Sequence, residues 1–417
     1  ALYEDMPAME SGLLPGDQLI MVDGVKCKGK STKDVSMMLR GLPESTVKIK
    51  IRREGESKTI EKEVVRREIH MPPVSYYTAH PEGSKGKTGY ILFSEFTSGS
   101  AMELASKIEK MVSEDHIERL VLDLRGNGGG LIDEAIQIVG LFVDKGTEVV
   151  STKGKIHTAN RSYKTSITPL YKDMPLVILV NNQTASAAEI VSGGLQDLKR
   201  ATIVGQRTFG KGLVQSVRPI VFDGHLKVTT AHYYLPSGRC IQAIDYAERQ
   251  KGNQLKRDSA GGILPDVVIE DSQKVDICYS LYIKHMFFDF ANQYYRKHAN
   301  IAPAEIFEVT DADIEDFIRM LDEKKFVYET ETSHYYDDMM EVAKEEDIDS
   351  TTMSILKGLK ERLRPSYREA IMRHKDEVKR MMGADIVERY YYNRGRIAFM
   401  LREDQDMKKA LEIIEKE

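Results

Sequence analysis

Ser186 and Lys211 are the two residues of this chain best suited to covalent chemistry. A serine hydroxyl is a poor nucleophile at neutral pH and needs a base. A lysine amine becomes that base only where burial disfavours its charged form. Ser186 lies in Asn182-Gln183-Thr184-Ala185-Ser186-Ala187-Ala188-Glu189, and Lys211 in Thr208-Phe209-Gly210-Lys211-Gly212-Leu213-Val214-Gln215. Gly210 and Gly212 let backbone approach closely, and Phe209, Leu213 and Val214 are expected to desolvate the amine. The apolar run Leu176 to Val180 reads as a buried strand. It ends at polar Asn181-Asn182, and Ser186 then opens an alanine-rich helical segment. Strand, turn and helix in that order lift a side chain out at a sheet edge and leave backbone N–H groups unpaired beside it. Such donors can hold an oxyanion. Ala187 is one candidate, and Gly129 or Gly130 is the second, because glycine lets backbone come that close.

Plainer readings compete with these. Serine is a favoured helix N-cap, and lysine is most often a solvated surface amine. Glu189 reads as a brace for the helix start. The run Gly126 to Gly130 could cradle a phosphate, but it lacks the Gly-Lys-Ser/Thr ending of a P-loop. His225 or His232 could serve as base to Ser186, yet no Gly-x-Ser-x-Gly elbow surrounds that serine. The ten histidines include no His-Glu-x-x-His, and no zinc spacing occurs. Three cysteines are too few and too scattered for a disulfide framework.

The stretch from Asn182 to Gln215 resembles the signature of the C-terminal processing peptidases, or tail-specific proteases. The matching pieces are Ser186-Ala187-Ala188-Glu189, Gln196-Asp197 and Thr208 to Gln215, and Ser186 and Lys211 have the family's nucleophile-to-base spacing. Leu122 to Leu131 resembles the family's glycine-rich oxyanion segment, and Tyr233 to Arg239 and Gly261 to Asp266 match later segments. The resemblance implies a crotonase-like β-α superhelix and a serine endopeptidase that cleaves proteins near their C-termini. It also implies that Gln215 orients Lys211 and that no metal or nucleotide cofactor takes part. It further implies work outside the cytoplasm, in the periplasm or an equivalent exported location. One rival reading is an inactive or scaffold protein that binds peptide tails. Another is an acyl-transfer enzyme acting on thioesters.

The elements that must position this chemistry read as three segments. Residues 1–68 resemble a PDZ domain through Pro7 to Gly24. Asp23-Gly24 signals a hairpin, Thr32 to Leu39 a helix capped by Ser31 or Thr32, and Val47 to Ile51 a half-buried strand. A PDZ domain takes an extended peptide by strand addition and captures its free carboxylate. The loop that does so lies ahead of Pro7 in that family, so the groove is expected to be incomplete here. Residues 69–275 alternate strands (Gly89 to Phe93, Leu120 to Leu124, Val149-Val150, Leu176 to Val180) with helices (Ala101 to Met111, Ile132 to Phe142, Ala187 to Leu195). That pattern predicts an α/β layered fold. The strand around Leu226 to Tyr234 is expected to align the substrate backbone. Residues 276–417 read as a helical domain, with the aromatic run Phe287 to Tyr295 and helices at Asp311 to Leu321, Asp349 to Leu363 and Ile386 to Leu401. Apolar positions at helical spacing (Ile397, Met400 and Leu401, then Met407, Leu411 and Ile414) need cover, which predicts a homodimer built on this tail.

Bulk properties bound the rest. At 417 residues, 41% hydrophobic and 30% charged, the composition is that of a globular protein of two or three domains. A net charge of −5 does not argue for nucleic acid, and the pairs Arg52-Arg53 and Arg66-Arg67 read as a solvated strand face. No apolar stretch is long enough to span a bilayer. The start at Ala1, without an apolar signal region, reads as trimmed.

Overall fold

The computed structural model describes residues 2–221, 224–244, 261–270, 276–363 and 366–416. They form a mixed α/β chain in two compact units, Met71–Asp271 with Leu401–Glu417, and Ala1–His70 with Ser272–Met400. The segment boundary expected at residue 275 lies outside the described residues.

The PDZ-like residues build helix α1 (Pro7–Glu10), strands β1 (Gln18–Val22) and β2 (Val25–Lys26), helix α2 (Thr32–Leu39), and strands β3 (Thr46–Arg52) and β4 (Ile60–Val65). Their sheet runs β2-β1-β3-β4, antiparallel throughout. Asp23 and Gly24 both take positive φ, 44° and 79°, as a two-residue hairpin turn demands. Alternation along β3 buries Val47, Ile49 and Ile51 with Val22. The Ser31 hydroxyl accepts from the Asp34 N–H while Asp34 accepts from the Ser31 N–H, a reciprocal cap. Of the four arginines expected on a solvated face, Arg52 and Arg67 are exposed, and Arg53 and Arg66 are structural pins instead. Arg53 donates two 2.7 Å bonds to Asp17, and Arg66 Nε donates to the Leu39 carbonyl at 2.7 Å.

The other unit contains β5 (Val74–Ala79), β6 (Thr88–Phe93), α3 (Ser100–Glu114), β7 (Arg119–Asp123), α4 (Ile132–Gly140), β8 (Glu148–Lys153), β9 (Arg161–Lys164), β10 (Leu176–Val180), α5 (Ala187–Asp197), β11 (Thr202–Gly205), β12 (Leu213–Pro219), β13 (His225–Tyr234) and β14 (Val267–Val268). One sheet runs β14-β11-β10-β7-β6-β5, parallel except for β5 against β6. Parallel neighbours require crossovers, which α3 supplies between β6 and β7 and α5 between β10 and β11. Alternate residues Leu120, Leu122, Leu176, Ile178, Val180 and Ile203 join α3, α4 and α5 in one core. A second, antiparallel sheet runs β12-β13-β8-β9.

The helical residues follow as α6 (Asp276–Ile283), α7 (Met286–Lys297), α8 (Asp311–Glu323), α9 (Glu331–Glu345), α10 (Ser350–Leu363), α11 (Tyr367–Arg373) and α12 (Lys375–Leu401), the last kinked at Tyr392, where φ is 53°. The aromatic run is largely core: Phe287 and Phe290 pack on Phe317 at ring separations of 5.5 and 5.3 Å. Helix α13 (Gln405–Ile414) returns to the α/β unit and packs on β7, β10 and β11. It buries Met407, Ala410, Leu411 and Ile414. That accounts for the unbroken apolar run of β10. A parallel strand covered on both faces has no solvent side to mark with polar residues, and Val121, Val177, Leu179 and Val204 are buried on the face away from the α3–α5 core. The apolar spacing of Met407, Leu411 and Ile414 is thus satisfied within the chain.

Candidate active site

Ser186 stands at the turn between β10 and α5 with φ 59° and ψ −117°. A residue other than glycine held there costs on the order of 1–3 kcal/mol and persists only where its surroundings over-determine it. Three bonds do so. Thr184 Oγ1 donates to the Leu124 carbonyl at 2.8 Å, the Ala185 N–H to the Asn127 carbonyl at 2.9 Å, and the Ser186 N–H to Glu189 Oε2 at 2.8 Å.

Glu189 is fully buried and ties the serine turn to the lysine turn. Its Oε1 accepts from Thr208 Oγ1 at 2.6 Å and from the Gly210 N–H at 2.7 Å, and its Oε2 accepts from the Lys211 N–H at 2.8 Å as well as from Ser186. The backbone N–H groups of Ser186 and Lys211 therefore converge on one oxygen atom. Burial pushes the Glu189 carboxyl above its usual range, and the donated hydrogen bonds pull it the other way. The sequence marks Glu189 only as the third residue of a helix, a capping position. The donors from Thr208, Gly210 and Lys211 arrive from a different loop and leave no local signal.

The lysine turn is tightly seated. A Cβ on Gly210 would stand 2.2 Å from Ala243 Cβ, and one on Gly212 would stand 2.3 Å from the Gln242 nitrogen. The Gly212 N–H donates to Gln242 Oε1 at 2.8 Å, and the Phe209 N–H to the Thr184 carbonyl at 2.9 Å. The Lys211 side chain itself is exposed, and Phe209 is 43% exposed. The desolvation expected from its neighbours in sequence is therefore not present. Among the described residues no hydrogen bond joins the Ser186 hydroxyl to the Lys211 amine or to either candidate histidine, His225 or His232. Gln215 is also exposed and also unbonded to Lys211. It lies on β12, just past a register shift between Val214 and Gln215, a kind of irregularity that re-aims side chains beside active sites.

The glycine segment reaches Ser186. A Cβ on Gly129, where φ is 93°, would lie 2.7 Å from Ser186 Cβ and 2.8 Å from the Ala187 nitrogen. The Gly129 N–H, however, donates to Asn127 Oδ1 at 2.8 Å. Gly130 is exposed, and among the described residues its N–H has no bonded acceptor. Ala187 is the first residue of α5, where no intrahelical acceptor exists. Of the three expected oxyanion donors, Gly130 and Ala187 are therefore the two whose N–H groups have no bonded acceptor among the described residues. Among the described residues no cluster of His, Cys, Asp and Glu is placed to hold a metal ion.

A sequence profile described as Peptidase family S41 matches residues 87–268, which contain Ser186, Lys211, Gln215 and the glycine segment. Over those residues the chain is similar to peptidase family S41. The S41 segment is flanked by a match to a PDZ domain over residues 1–53 and by one to a "Probable PDZ-protease, C-terminal helical domain" over residues 277–414. A carboxy-terminal-processing protease of Bartonella bacilliformis is 36% identical over 267 residues, covering 64% of this chain and 57% of that protein. A "Probable CtpA-like serine protease" of Staphylococcus aureus is 35% identical over 269 residues, covering 63% of this chain and 48% of that one. The chain thus spans about half the length of the curated relatives it matches. Among solved structures, a photosystem II D1 C-terminal processing protease is 32% identical, with 63% of this chain and 65% of that one covered, at a TM-score of 0.39. So loose a superposition carries no argument.

Proposed function

We propose that the protein is a serine endopeptidase that cleaves protein substrates near their C-termini. The observation that carries this reading is the convergence of the Ser186 and Lys211 N–H groups on one oxygen of Glu189. Ser186 attacks the scissile carbonyl, and Lys211 takes its proton and returns it to the leaving amine. The N–H groups of Ala187 and Gly130 hold the oxyanion, with Gly129 as the close-packed floor. Gln215 orients Lys211 once the amine has swung in from solvent. Strand β13, expected to align the substrate, is paired with β12 and, at Tyr233 and Tyr234, with β8. Strand β12 is the edge of that sheet among the described strands, so an extended substrate pairs along β12. The names of the bacterial relatives support processing at a carboxy terminus, and an exported location is proposed with it. Among the described residues no helix is long and apolar enough to cross a membrane. Among the large apolar residues that the helical region exposes are Tyr335, Met339 and Val342 on one face of α9, with Ile355 and Leu359 of α10. A second copy of the chain seated there is the form in which we propose the homodimer.

The exposure of Lys211 favours a second reading, an inactive protein that binds peptide tails through its PDZ-like residues. Degradation of an unfolded protein by the wild type, Ser186→Ala and Lys211→Arg separates the two. The peptidase predicts turnover by the wild type alone, since arginine cannot surrender its proton. Equal rates for wild type and Ser186→Ala would sink it.

A further inference from the structure

Two carboxylates from the end of the chain grip the root of the glycine segment. Arg125 Nη1 donates to Asp404 Oδ1 and Asp406 Oδ2 at 3.0 Å each, and its Nη2 stands 2.7 Å from Asp404 Oδ2. The same guanidinium holds Asp123 through Nε at 3.0 Å and Nη2 at 2.5 Å. Asp123 also accepts from the Tyr90 hydroxyl at 2.7 Å. Asp404 is the N-cap of α13, bonded to the Met407 N–H at 3.0 Å, and Asp406 lies in the first turn of that helix. One arginine is thus shared by three largely buried carboxylates, two of which are remote from it in sequence.

The place where this happens gives it a bearing on catalysis. Arg125 immediately precedes a segment with positive φ at Gly126, Gly129 and Gly130 (72°, 93° and 152°). Glycine backbone gains more freedom than any other on coming loose, so the segment depends on what holds it. The Gly126 N–H donates to Asn181 Oδ1 at 3.0 Å, and Asn127 Nδ2 donates to the Phe93 carbonyl at 2.8 Å. The Arg125 grip sits at the entrance. An oxyanion donor works only if it is held in place before charge develops. We infer that Asp404 and Asp406 are positioning residues for the oxyanion segment, acting through Arg125, so that α13 belongs to the catalytic apparatus as well as covering the sheet. This rests on Ser186 being the nucleophile.

The test is the full chain carrying Asp404→Asn with Asp406→Ala. Asparagine caps a helix as well as aspartate does, so α13 keeps its start while Arg125 loses both charges. Two quantities are read. Amide hydrogen exchange across residues 125–131 should quicken by about tenfold or more while β10 keeps its protection. The kcat should fall by about tenfold or more with KM little changed, because oxyanion contacts form only in the transition state. Asp406→Glu alone, which retains the charge, should restore most of kcat. Glu415→Gln, which removes the charge facing Lys85 Nζ at the far end of α13, should move neither quantity. The inference is overturned if exchange in the segment is unchanged, if exchange rises but kcat does not fall, or if Glu415→Gln reproduces both effects. A wild-type chain without turnover would sink the nucleophile assignment separately. Exchange alone would then decide the role of Asp404 and Asp406 in holding the segment, an unchanged segment overturning it and a loosened one supporting it.

Discussion

Replacing Glu189 by glutamine tests whether one carboxylate holds the serine and lysine turns together. Four donors converge on its two oxygens. Glutamine has the same shape but offers one oxygen and an NH2 group, so two of the four contacts become donor against donor. A hydrogen bond to a charged group contributes about 1.5–3 kcal/mol, and losing two costs about 3–6 kcal/mol. The neutral side chain escapes the desolvation that pushes the Glu189 carboxyl up, which offsets part of that loss and puts the expected figure near the low end, about 3 kcal/mol. For a unit of this size that lowers Tm by roughly 6–12 °C. Calorimetry on wild type and Glu189→Gln measures the shift, and a peptide substrate measures turnover on the same samples. The variant should lose most of its activity well below its Tm, because the two turns part before the sheet melts. A Tm within about 2 °C of wild type together with unimpaired turnover would refute the reasoning.

Ser186→Gly should be inactive yet about 1 kcal/mol more stable than Ser186→Ala by chemical denaturation, because glycine accepts the positive φ at no steric cost. Gly129→Ala forces a methyl to within 2.7 Å of Ser186 Cβ. Its kcat should drop by roughly 10²–10³, the usual cost of a spoiled oxyanion site. Burial pushes the Cys278 thiol up to about 12, so a disulfide reagent should spare it in the folded chain, label the half-buried Cys27 and Cys240, and reach Cys278 only after unfolding. Sedimentation of the chain before and after Met339→Lys reads the homodimer; a wild type that runs as a monomer at micromolar concentration removes it.

Local chemistry made much of the fold legible before any coordinates. Ser31 as a cap, Asp23-Gly24 as a turn and Leu176 to Val180 as a buried strand are each determined by residues a few positions apart, and the structure has each where it was expected. The surroundings of Lys211 were misread for a related reason. Apolar neighbours in sequence do not bury a side chain in a turn, here one with a positive φ at Gly210, and Phe209 turns out to solvent. The convergence on Glu189 was invisible because three of its four donors come from the Thr208–Lys211 turn. The apolar face of α13 was plain from its spacing, but spacing says only that a face needs cover, not what supplies it. The same holds for Arg53 and Arg66, whose partners Asp17 and Leu39 come from other elements.

Because α13 closes the far face of the β7-β10-β11 sheet, the order of synthesis matters. A chain emerging N-terminus first presents Val121, Val177, Leu179 and Val204 long before Met407, Leu411 and Ile414 exist to cover them. The whole helical region of the other unit is made in between. During that interval the half-built sheet offers an apolar surface of the kind that aggregates or engages chaperones. A chain truncated ahead of α13 never leaves that condition, and it also lacks the carboxylates that hold Arg125. A chain stopped there would therefore be an adhesive product with a slack glycine segment, so that one helix ties the covering of the sheet to the hold on Arg125.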